Sequence, residues 1–329
     1  FDQLTRQRVE KHDTYLDTRR TILGEARDEQ RAIMLNLDPS PTDCVRRAEA
    51  IDVRLFDRSP GDADFLSLRL GLGDRPFGLK IKTPPLDKAE KDPLVLKTAA
   101  VAMEFSCVDS APVCASFREL GAGGIAGPRA QALEAVRSLL IQLATHHSPE
   151  EVKIVVIHPP DEDWNWVRWL PHVWSEPGGR RFLASDAPGA KALLEELNDI
   201  LKRRPLRLSE DDAKKGMELP LFVVVLASAS LTKDAPVLDL IQSTGSRIGA
   251  LGLFFGETLK ELPQACRTLV EAGPGQPRLV HTHPQTVEVH YEPDIISVAK
   301  AEEFSRALAR LRVKGATATG DIPSRASML

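Results

Sequence analysis

Apolar residues recur every seven positions near the start of the chain, where Val9, Leu16 and Leu23 form one line. Most residues between them over 1–37 carry charged or other polar side chains, so the pattern predicts one long helix with a narrow apolar stripe. The repeat fails by Gln30. This helix is therefore either a coiled-coil stalk or an ordinary helix that packs across a domain.

A different pattern follows over residues 38–111. Asp-Pro-Ser-Pro at 38–41 ends the first helix and opens another, because proline is tolerated in the first turn of a helix but not in its middle. Two runs of alternating apolar and polar residues over 65–82 flank a glycine-rich turn, which predicts a β-hairpin. A further helix is predicted at 93–103. We therefore treat 38–111 as a helical and β-hairpin subregion.

From about residue 112 the chain alternates between strand and helix patterns. Several strand patterns are nearly continuous apolar runs, as in strands that are buried on both faces. The predicted strands are 113–118, 152–157, 219–226 and 249–255, with an edge strand at 287–291. Helix patterns lie between them, and a closing helix is predicted at 299–312. The alternation predicts an α/β domain over 112–313, with a mostly parallel sheet and helices on both faces.

The composition is that of a globular protein and indicates no particular ligand. The 329 residues carry a net charge of -4, so no overall basic field points to nucleic acid or to an anionic membrane. Four cysteines show no zinc-ligand spacing, which predicts no metal site. No apolar run approaches the roughly 20 residues of a transmembrane helix. Because the chain begins with Phe1 and 314–329 has the composition of a linker, we expect it to be a piece of a longer protein.

The turn Gly123-Gly-Ile-Ala-Gly-Pro-Arg-Ala130 lies between a predicted strand and a strong helix pattern. That is the setting of a P-loop, whose pattern GxxxxGK[ST] binds phosphate through backbone N–H groups and a helix N-terminus. Here Gly123 takes the first glycine position, but Pro128 replaces the second. Arg129 replaces the lysine, and Ala130 replaces the hydroxyl residue that holds Mg²⁺. The predicted degenerate nucleotide loop comprises Gly123, Gly124, Gly127, Pro128, Arg129 and Ala130.

A P-loop ATPase also needs an acidic residue at the end of a second strand, the Walker B strand, to hold Mg²⁺. The candidate strand ends at Leu226 and Ala227 and continues without Asp or Glu, and Asp234 lies too far along the next segment to substitute. Two independent magnesium contacts are therefore absent. The sequence predicts no catalytic residue and no enzymatic activity in this segment.

Four stretches carry a resemblance through their order and spacing. They are Phe56-Asp-Arg-Ser-Pro-Gly-Asp-Ala-Asp-Phe-Leu-Ser-Leu-Arg-Leu-Gly-Leu-Gly73, Gly124-Ile-Ala-Gly-Pro-Arg129, Leu143-Ala-Thr-His-His-Ser-Pro149 and Trp164-Asn-Trp-Val-Arg-Trp-Leu-Pro-His172. Together they resemble the EccC/EssC proteins of type VII secretion, within the FtsK/SpoIIIE family. The resemblance covers residues 15–312 and is closest to the domain between the transmembrane helices and the first ATPase module.

The resemblance implies a P-loop (RecA/FtsK-like) fold and a parent protein that is a membrane ATPase. The parent would export small helical WXG100-type proteins and bind Mg-ATP in its other modules, while this segment would couple the membrane part to those modules without a cofactor of its own. The segment would lie at the cytoplasmic face of the inner membrane, with 1–37 as a membrane-proximal stalk. The implied partners are the adjacent ATPase module, other membrane subunits and further copies in a hexamer, but not nucleic acid.

Three tryptophans, Trp164, Trp166 and Trp169, form a candidate partner surface, because tryptophan is enriched at interface hot spots. Local packing is the favoured interpretation, since Trp166 and Trp169 are spaced to share one helical face. Arg129 could contact a phosphate or an acidic neighbour, but a solvated arginine at the start of a helix is favoured.

The histidines are interpreted as structural. His146, His147 and His172 have no serine or cysteine placed to act with them by a known catalytic pattern.

Two alternatives to a non-catalytic domain stay open. One is a weak ATPase that binds nucleotide through the loop backbone and Arg129. The other is part of an FtsK-type DNA translocase, against which the sequence offers no basic patch and no winged-helix signature.

Overall fold

The computed structural model describes residues 2–83, 92–117, 121–175, 179–204, 220–273, 275, 277–282 and 285–311. The helices are α1 (Asp2–Leu37), α2 (Pro41–Ala50), α3 (Pro93–Glu104), α4 (Arg129–His146), α5 (Ala187–Lys202), α6 (Ala229–Thr232), α7 (Pro236–Ile248) and α8 (Val298–Leu308). The strands are β1 (Ser67–Pro76), β2 (Cys107–Ser116), β3 (Ala122–Ala126), β4 (Val152–Ile157), β5 (Leu183–Ala184), β6 (Leu221–Leu226), β7 (Ala250–Gly256), β8 (Thr268–Glu271), β9 (Arg278–His281), β10 (Val287–His290) and β11 (Glu292–Pro293). The predicted linker, 314–329, lies outside the described residues.

The larger sheet has eight strands in the order β10-β9-β8-β3-β7-β6-β4-β5. Neighbours from β8 to β5 are parallel, and β9 and β10 add antiparallel pairs at one edge. Alternate residues of β6 enter different cores: Val223 packs in the core that contains α4, and Val224 in the core that contains α5 and α7. Helices therefore cover both faces, which confirms the predicted α/β class.

The strand that leads into α4 was predicted wrongly. Residues 113–118 were expected to form it, with a glycine-rich turn after them, but β2 belongs to a separate small sheet, and the glycine-rich segment itself forms β3. The glycines leave room for neighbouring side chains, since an added Cβ would lie 2.8 Å from the Phe117 ring at Gly123 and 2.5 Å from Leu262 Cδ1 at Gly124. Gly123 and Gly124 thus belong to a buried strand and not to a loop.

The predicted β-hairpin over 65–82 is also wrong. That segment contains a single strand, β1, which pairs with β2 on one side and with β11 on the other. Gly71 serves the close approach of β11, because an added Cβ would lie 1.9 Å from the Glu292 carbonyl oxygen. The predicted boundary at 111/112 falls inside β2.

Helix α1 lies along α3 and β2. Its residue Leu16 is buried with Val101 and Phe105, and Leu23 packs at the margin of the same small cluster. The seven-residue line of the sequence is therefore the face by which α1 packs on this chain. Within the described residues, no helix combines the length and the apolar character needed to span a bilayer.

Candidate functional site

The connection between β3 and α4 contains only Gly127 and Pro128. Gly127 has φ +139°, a conformation that favours glycine, and its N–H donates to the Gly256 carbonyl oxygen at 3.1 Å. An added Cβ at Gly127 would lie 1.6 Å from the Ala272 carbonyl oxygen. The turn is closed against the ends of β7 and β8, so the Gly127 N–H is used within the chain and does not face a ligand.

Arg129, which the sequence predicts to stand in the position of the P-loop lysine, binds groups of its own chain. Its Nε and Nη2 donate to the two carboxylate oxygens of Glu162 at 2.5 and 2.8 Å, and Nη2 also donates to the Ala227 carbonyl oxygen at 2.6 Å. The guanidinium carbon lies 5.0 Å from the centre of the Phe255 ring. A bidentate pair of this kind is a strong and directional contact. The favoured interpretation of Arg129 as a solvated side chain was therefore wrong.

Glu162 is held from both sides. The indole Nε1 of Trp164 donates to Glu162 Oε2 at 2.9 Å, beside the contact from Arg129. Burial alone would raise the pKa of the Glu162 carboxyl, but the hydrogen bonds from Arg129 and Trp164 and the Arg129 charge hold that pKa below its usual range. Glu162 is therefore a carboxylate near neutral pH, and both its oxygens already accept hydrogen bonds.

The end of β6 carries no acidic side chain. Leu226 and Ala227 are buried, the Ala227 N–H donates to the Ile157 carbonyl oxygen at 2.8 Å, and the Ala227 carbonyl oxygen receives Arg129. Ala130, in the first turn of α4, supplies no hydroxyl. The structure thus brings the predicted loop and the predicted strand end together, and Arg129 joins them.

Sequence reasoning missed Glu162. It lies 33 residues from Arg129 along the chain, in the segment between β4 and the short 3₁₀ helix Asn165–Trp169. Its position in the sequence could have indicated it, because Glu162 is an acidic residue that follows the buried strand β4 and precedes the tryptophan-rich stretch. The carboxyl ends of parallel strands share one edge, where side chains distant in sequence meet.

The tryptophans do not form an exposed partner surface. Trp164 and Trp166 are buried, and the 3₁₀ helix that carries Trp166 and Trp169 packs against α8. Trp169 is half-buried beneath the Arg306 guanidinium, whose carbon lies 4.2 Å from the ring centre. The partner-surface prediction is therefore wrong for Trp164 and Trp166, and local packing explains all three positions.

The three histidines are buried, and each binds a group of its own chain. The Leu66 N–H donates to His147 Nε2 at 3.1 Å, so His147 Nδ1 carries the proton that it donates to the Leu143 carbonyl oxygen. His172 Nε2 lies 2.8 Å from the His147 carbonyl oxygen. His146 Nδ1 lies 2.8 Å from the Asp57 carboxylate. The His146 and His147 contacts join the end of α4 to the segment before β1, and the His172 contact joins that end to the segment after the 3₁₀ helix. All three contacts are structural.

No family model matches the chain. Curated relatives do match it over most of its length. It is 26% identical over 91% of its length to the ESX secretion system protein EccC of Geobacillus thermodenitrificans, and 26% identical over 98% to the ESX secretion system protein YukB of Bacillus subtilis. It is 23% identical over 94% to the type VII secretion system protein EssC of Staphylococcus aureus.

The chain spans only 20%, 22% and 21% of the lengths of these relatives. Its fold is similar to a solved structure described as the cytoplasmic domain of the Thermomonospora curvata type VII secretion ATPase EccC. The TM-score is 0.50 at 15% identity, over 78% of this chain and 32% of that one. This likeness concerns the fold alone. The resemblance seen in the sequence motifs is confirmed: over nearly its whole length, the chain is a relative of the EccC, YukB and EssC proteins of type VII secretion.

Proposed function

We propose that this chain is a non-catalytic, ATPase-like domain that couples the membrane part of a type VII secretion motor to its ATPase modules. In this proposal the segment lies at the cytoplasmic face of the cell membrane, next to an ATPase module of the same chain. The parent assembles as a hexamer with other membrane subunits and exports WXG100-type proteins. The names of the relatives support the secretion role, and the fold supports descent from an ATPase module.

The observation that carries the non-catalytic part is the contact of Arg129 with Glu162 and the Ala227 carbonyl oxygen. In a working site, a lysine in this position reaches toward the phosphates of the nucleotide. Here the cation is paired with a carboxylate of its own chain. A nucleotide phosphate would have to displace Glu162 and leave that carboxylate near its own negative charge, which is unfavourable.

Phosphate release and thermal stability in the presence of Mg-ATP test this proposal directly. The purified chain is expected to release no more phosphate than its Arg129→Ala variant, and its melting temperature should not change with Mg-ATP. Turnover that disappears in Arg129→Ala would contradict the proposal. A nucleotide-dependent stabilisation without turnover would favour the nucleotide-binding alternative instead.

A second experiment asks whether the loop alone accounts for the missing activity. The triple variant Pro128→Gly, Arg129→Lys, Ala130→Ser restores the P-loop residues but leaves the end of β6 without an acid. We expect no hydrolysis above background, because the second magnesium contact is still lacking. Hydrolysis by the triple variant would mean that another carboxylate holds Mg²⁺, and Glu162 would be the first to replace.

The coupling role is tested in the parent protein. Val224→Asp should abolish export by unfolding the domain, whereas Arg129→Ala should leave export per assembled complex nearly unchanged. Loss of export in Arg129→Ala, with normal folding and assembly, would mean that this edge of the sheet still acts on a ligand.

A further inference from the structure

A crevice of about 220 Å³ opens beside the first two turns of α4, where the small sheet meets the large one. Its walls come from β1, α4, the connection between β8 and β9, and the segment that contains β11. The volume lies below the roughly 300 Å³ at which pockets for drug-sized ligands begin, so the crevice suits one side chain better than a nucleotide. The predicted nucleotide loop and the end of β6, which the structure describes in full, contribute no residue to these walls.

The walls of the crevice are mostly apolar. Leu70 and Ala272 are buried, Ala135 and Pro277 are half-buried, and the exposed Ile295 completes them. Apolar walls of this kind accommodate the methylene stem of a long side chain whose polar head is bound by other groups.

Three polar side chains in the same walls have no partner. Tyr291 is only 7% exposed, and burial raises the pKa of its hydroxyl with no hydrogen bond or charge that counteracts this shift. The Glu134 carboxylate and the Gln131 amide form no hydrogen bond or ion pair within the part of the chain that the structure describes. Because a buried hydroxyl normally has a hydrogen-bond partner, the group that completes Tyr291 has to come from within the crevice.

The charge of Glu134 is only partly compensated. Arg137, one turn further along α4, acts on Glu134, but it also lies near Asp163 and donates from Nη1 to the Ile296 carbonyl oxygen at 2.8 Å. One arginine thus serves two carboxylates, and the Glu134 oxygens remain without a bound donor.

A second carboxylate in the crevice wall indicates the same excess of negative charge. Arg69 donates from Nε and Nη2 to the two oxygens of Asp294 at 2.7 and 3.0 Å. Burial of Asp294, together with the nearby carboxylates Asp43 and Glu292, nevertheless raises the pKa of Asp294 above its usual value. A further cation is therefore favoured at this crevice, and an anion such as phosphate is disfavoured.

A third arginine close to the crevice is also paired. Arg278 follows Pro277 in the chain and binds both Glu271 and Glu288. It therefore brings no uncompensated positive charge to the crevice.

We propose that this crevice binds the side chain of an arginine presented by a partner protein. The methylene stem packs between Ala135 and Pro277. The guanidinium donates to the Glu134 carboxylate, the Gln131 side-chain oxygen and the Tyr291 hydroxyl. Arginine fits these three acceptors because its five N–H donors form a rigid planar fork, whereas a lysine ammonium is a single point charge. The proposal does not rest on the coupling role, since it concerns residues outside the predicted nucleotide loop.

The NMR signals of the tyrosine rings test the proposal in the whole chain. The chain has two tyrosines, so ring-labelled tyrosine gives one reporter in the crevice, Tyr291, and one control on α1, Tyr15. Tyr15→Phe assigns the two signals. Titration with N-acetyl-arginine amide is expected to shift the Tyr291 signal with a Kd of about 1 mM and to leave the Tyr15 signal in place.

A neutral isostere of the probe separates charge from shape. N-acetyl-citrulline amide has nearly the same shape as the arginine compound but no charge, and it should bind at least about tenfold more weakly. A Tyr291 signal that does not move, or that moves equally with the citrulline compound, overturns the proposal.

Two substitutions test the position of the site. Glu134→Gln removes the charge and should weaken binding of the arginine compound by at least about fivefold, whereas Glu25→Gln, at an exposed position on α1, is the matched control and should leave it unchanged. Ala135→Leu fills the crevice and should abolish the shift of Tyr291. Equal melting temperatures establish that the variants are folded. Binding that either Glu134→Gln or Ala135→Leu leaves undiminished overturns the proposal.

Discussion

The carboxyl edge of the parallel sheet and the exposed side of α1 differ in whether their interaction groups already have partners within the chain. At the sheet edge, Arg129 is paired with Glu162, and the Gly127 N–H is taken by Gly256. On α1, Tyr15 and Ile22 face outward beside exposed charges. The groups of the P-loop-like turn are thus satisfied by their own chain, whereas the helix that the sequence predicts as a stalk or as an ordinary packed helix presents exposed apolar side chains. The capacity of a surface to bind a partner has to be judged from groups that lack partners within the chain, and not from a sequence motif alone.

The largest effect is expected from a charge in the core that supports the sheet edge. Val224 is fully buried in β6 between β4 and β7. Val224→Asp should destabilise the fold by about 4 kcal/mol or more, because an unpaired buried carboxylate has to be desolvated or protonated. Val53→Asp, at an exposed position, is the control and should change stability by less than about 0.5 kcal/mol. Urea unfolding measures both, and similar stabilities would contradict the buried position of Val224.

The second-largest loss of stability is expected from a substitution in the closed turn between β3 and α4. Gly127→Ala adds a Cβ at 1.6 Å from the Ala272 carbonyl oxygen, in a backbone conformation with φ +139°. We expect a loss of about 3 kcal/mol of unfolding free energy, since the backbone at Ala272, directly after β8, has to move. The matched change Gly273→Ala meets no atom within 4 Å and should be nearly neutral. If Gly127→Ala were as stable as wild type, the turn would be open, and a phosphate could approach its backbone.

The next prediction concerns the pH dependence of the unfolding free energy, to which the buried histidines contribute. Burial lowers the pKa of His147 to about 3 and of His172 to about 4, below the value of about 6.5 in an unfolded chain. The unfolded state therefore binds more protons, so stability is full above about pH 6.5 and falls as the pH decreases toward 4. Each histidine contributes up to about 1.4 kcal/mol per pH unit in that range.

The measurement is the free energy of unfolding between pH 8 and pH 4.5. His147→Gln should reduce the slope of the unfolding free energy against pH, below pH 6.5, by the equivalent of about one proton. This holds whatever the effect of the substitution on stability at pH 8. The lowered pKa of Glu162 adds a loss only at more acidic pH, because this carboxylate is protonated in the folded chain only below the usual range of a glutamate carboxyl. An unchanged slope in His147→Gln would show that this imidazole is already protonated in the folded protein.

The smallest effect is expected from the Arg129–Glu162 pair. The Arg129 side chain is 39% exposed, so solvent screens the pair, and a double-mutant cycle with Arg129→Ala and Glu162→Gln should give a coupling below about 1 kcal/mol. The coupling should decrease with added salt. A coupling of several kcal/mol would mean that the pair is a major support of the fold.

The sequence by itself determined the α/β class, and it is the basis of the prediction that the magnesium-binding residues of a P-loop ATPase are lacking. Val152–Ile157 and Leu221–Leu226 are continuous apolar runs, and only a strand covered on both faces buries such a run. That prediction uses only the residue types at positions 129 and 227, which need no coordinates.

Only the tertiary structure decided which groups meet. The glycines of β3 give no periodic pattern, since they have no side chain, and their strand is recognised only from the layers that pack on it. The pairing of β1 with β2, and of Arg129 with Glu162, joins segments that are far apart in the chain. Such contacts depend on how the sheet and helices stack, and local propensity carries no information about that stacking.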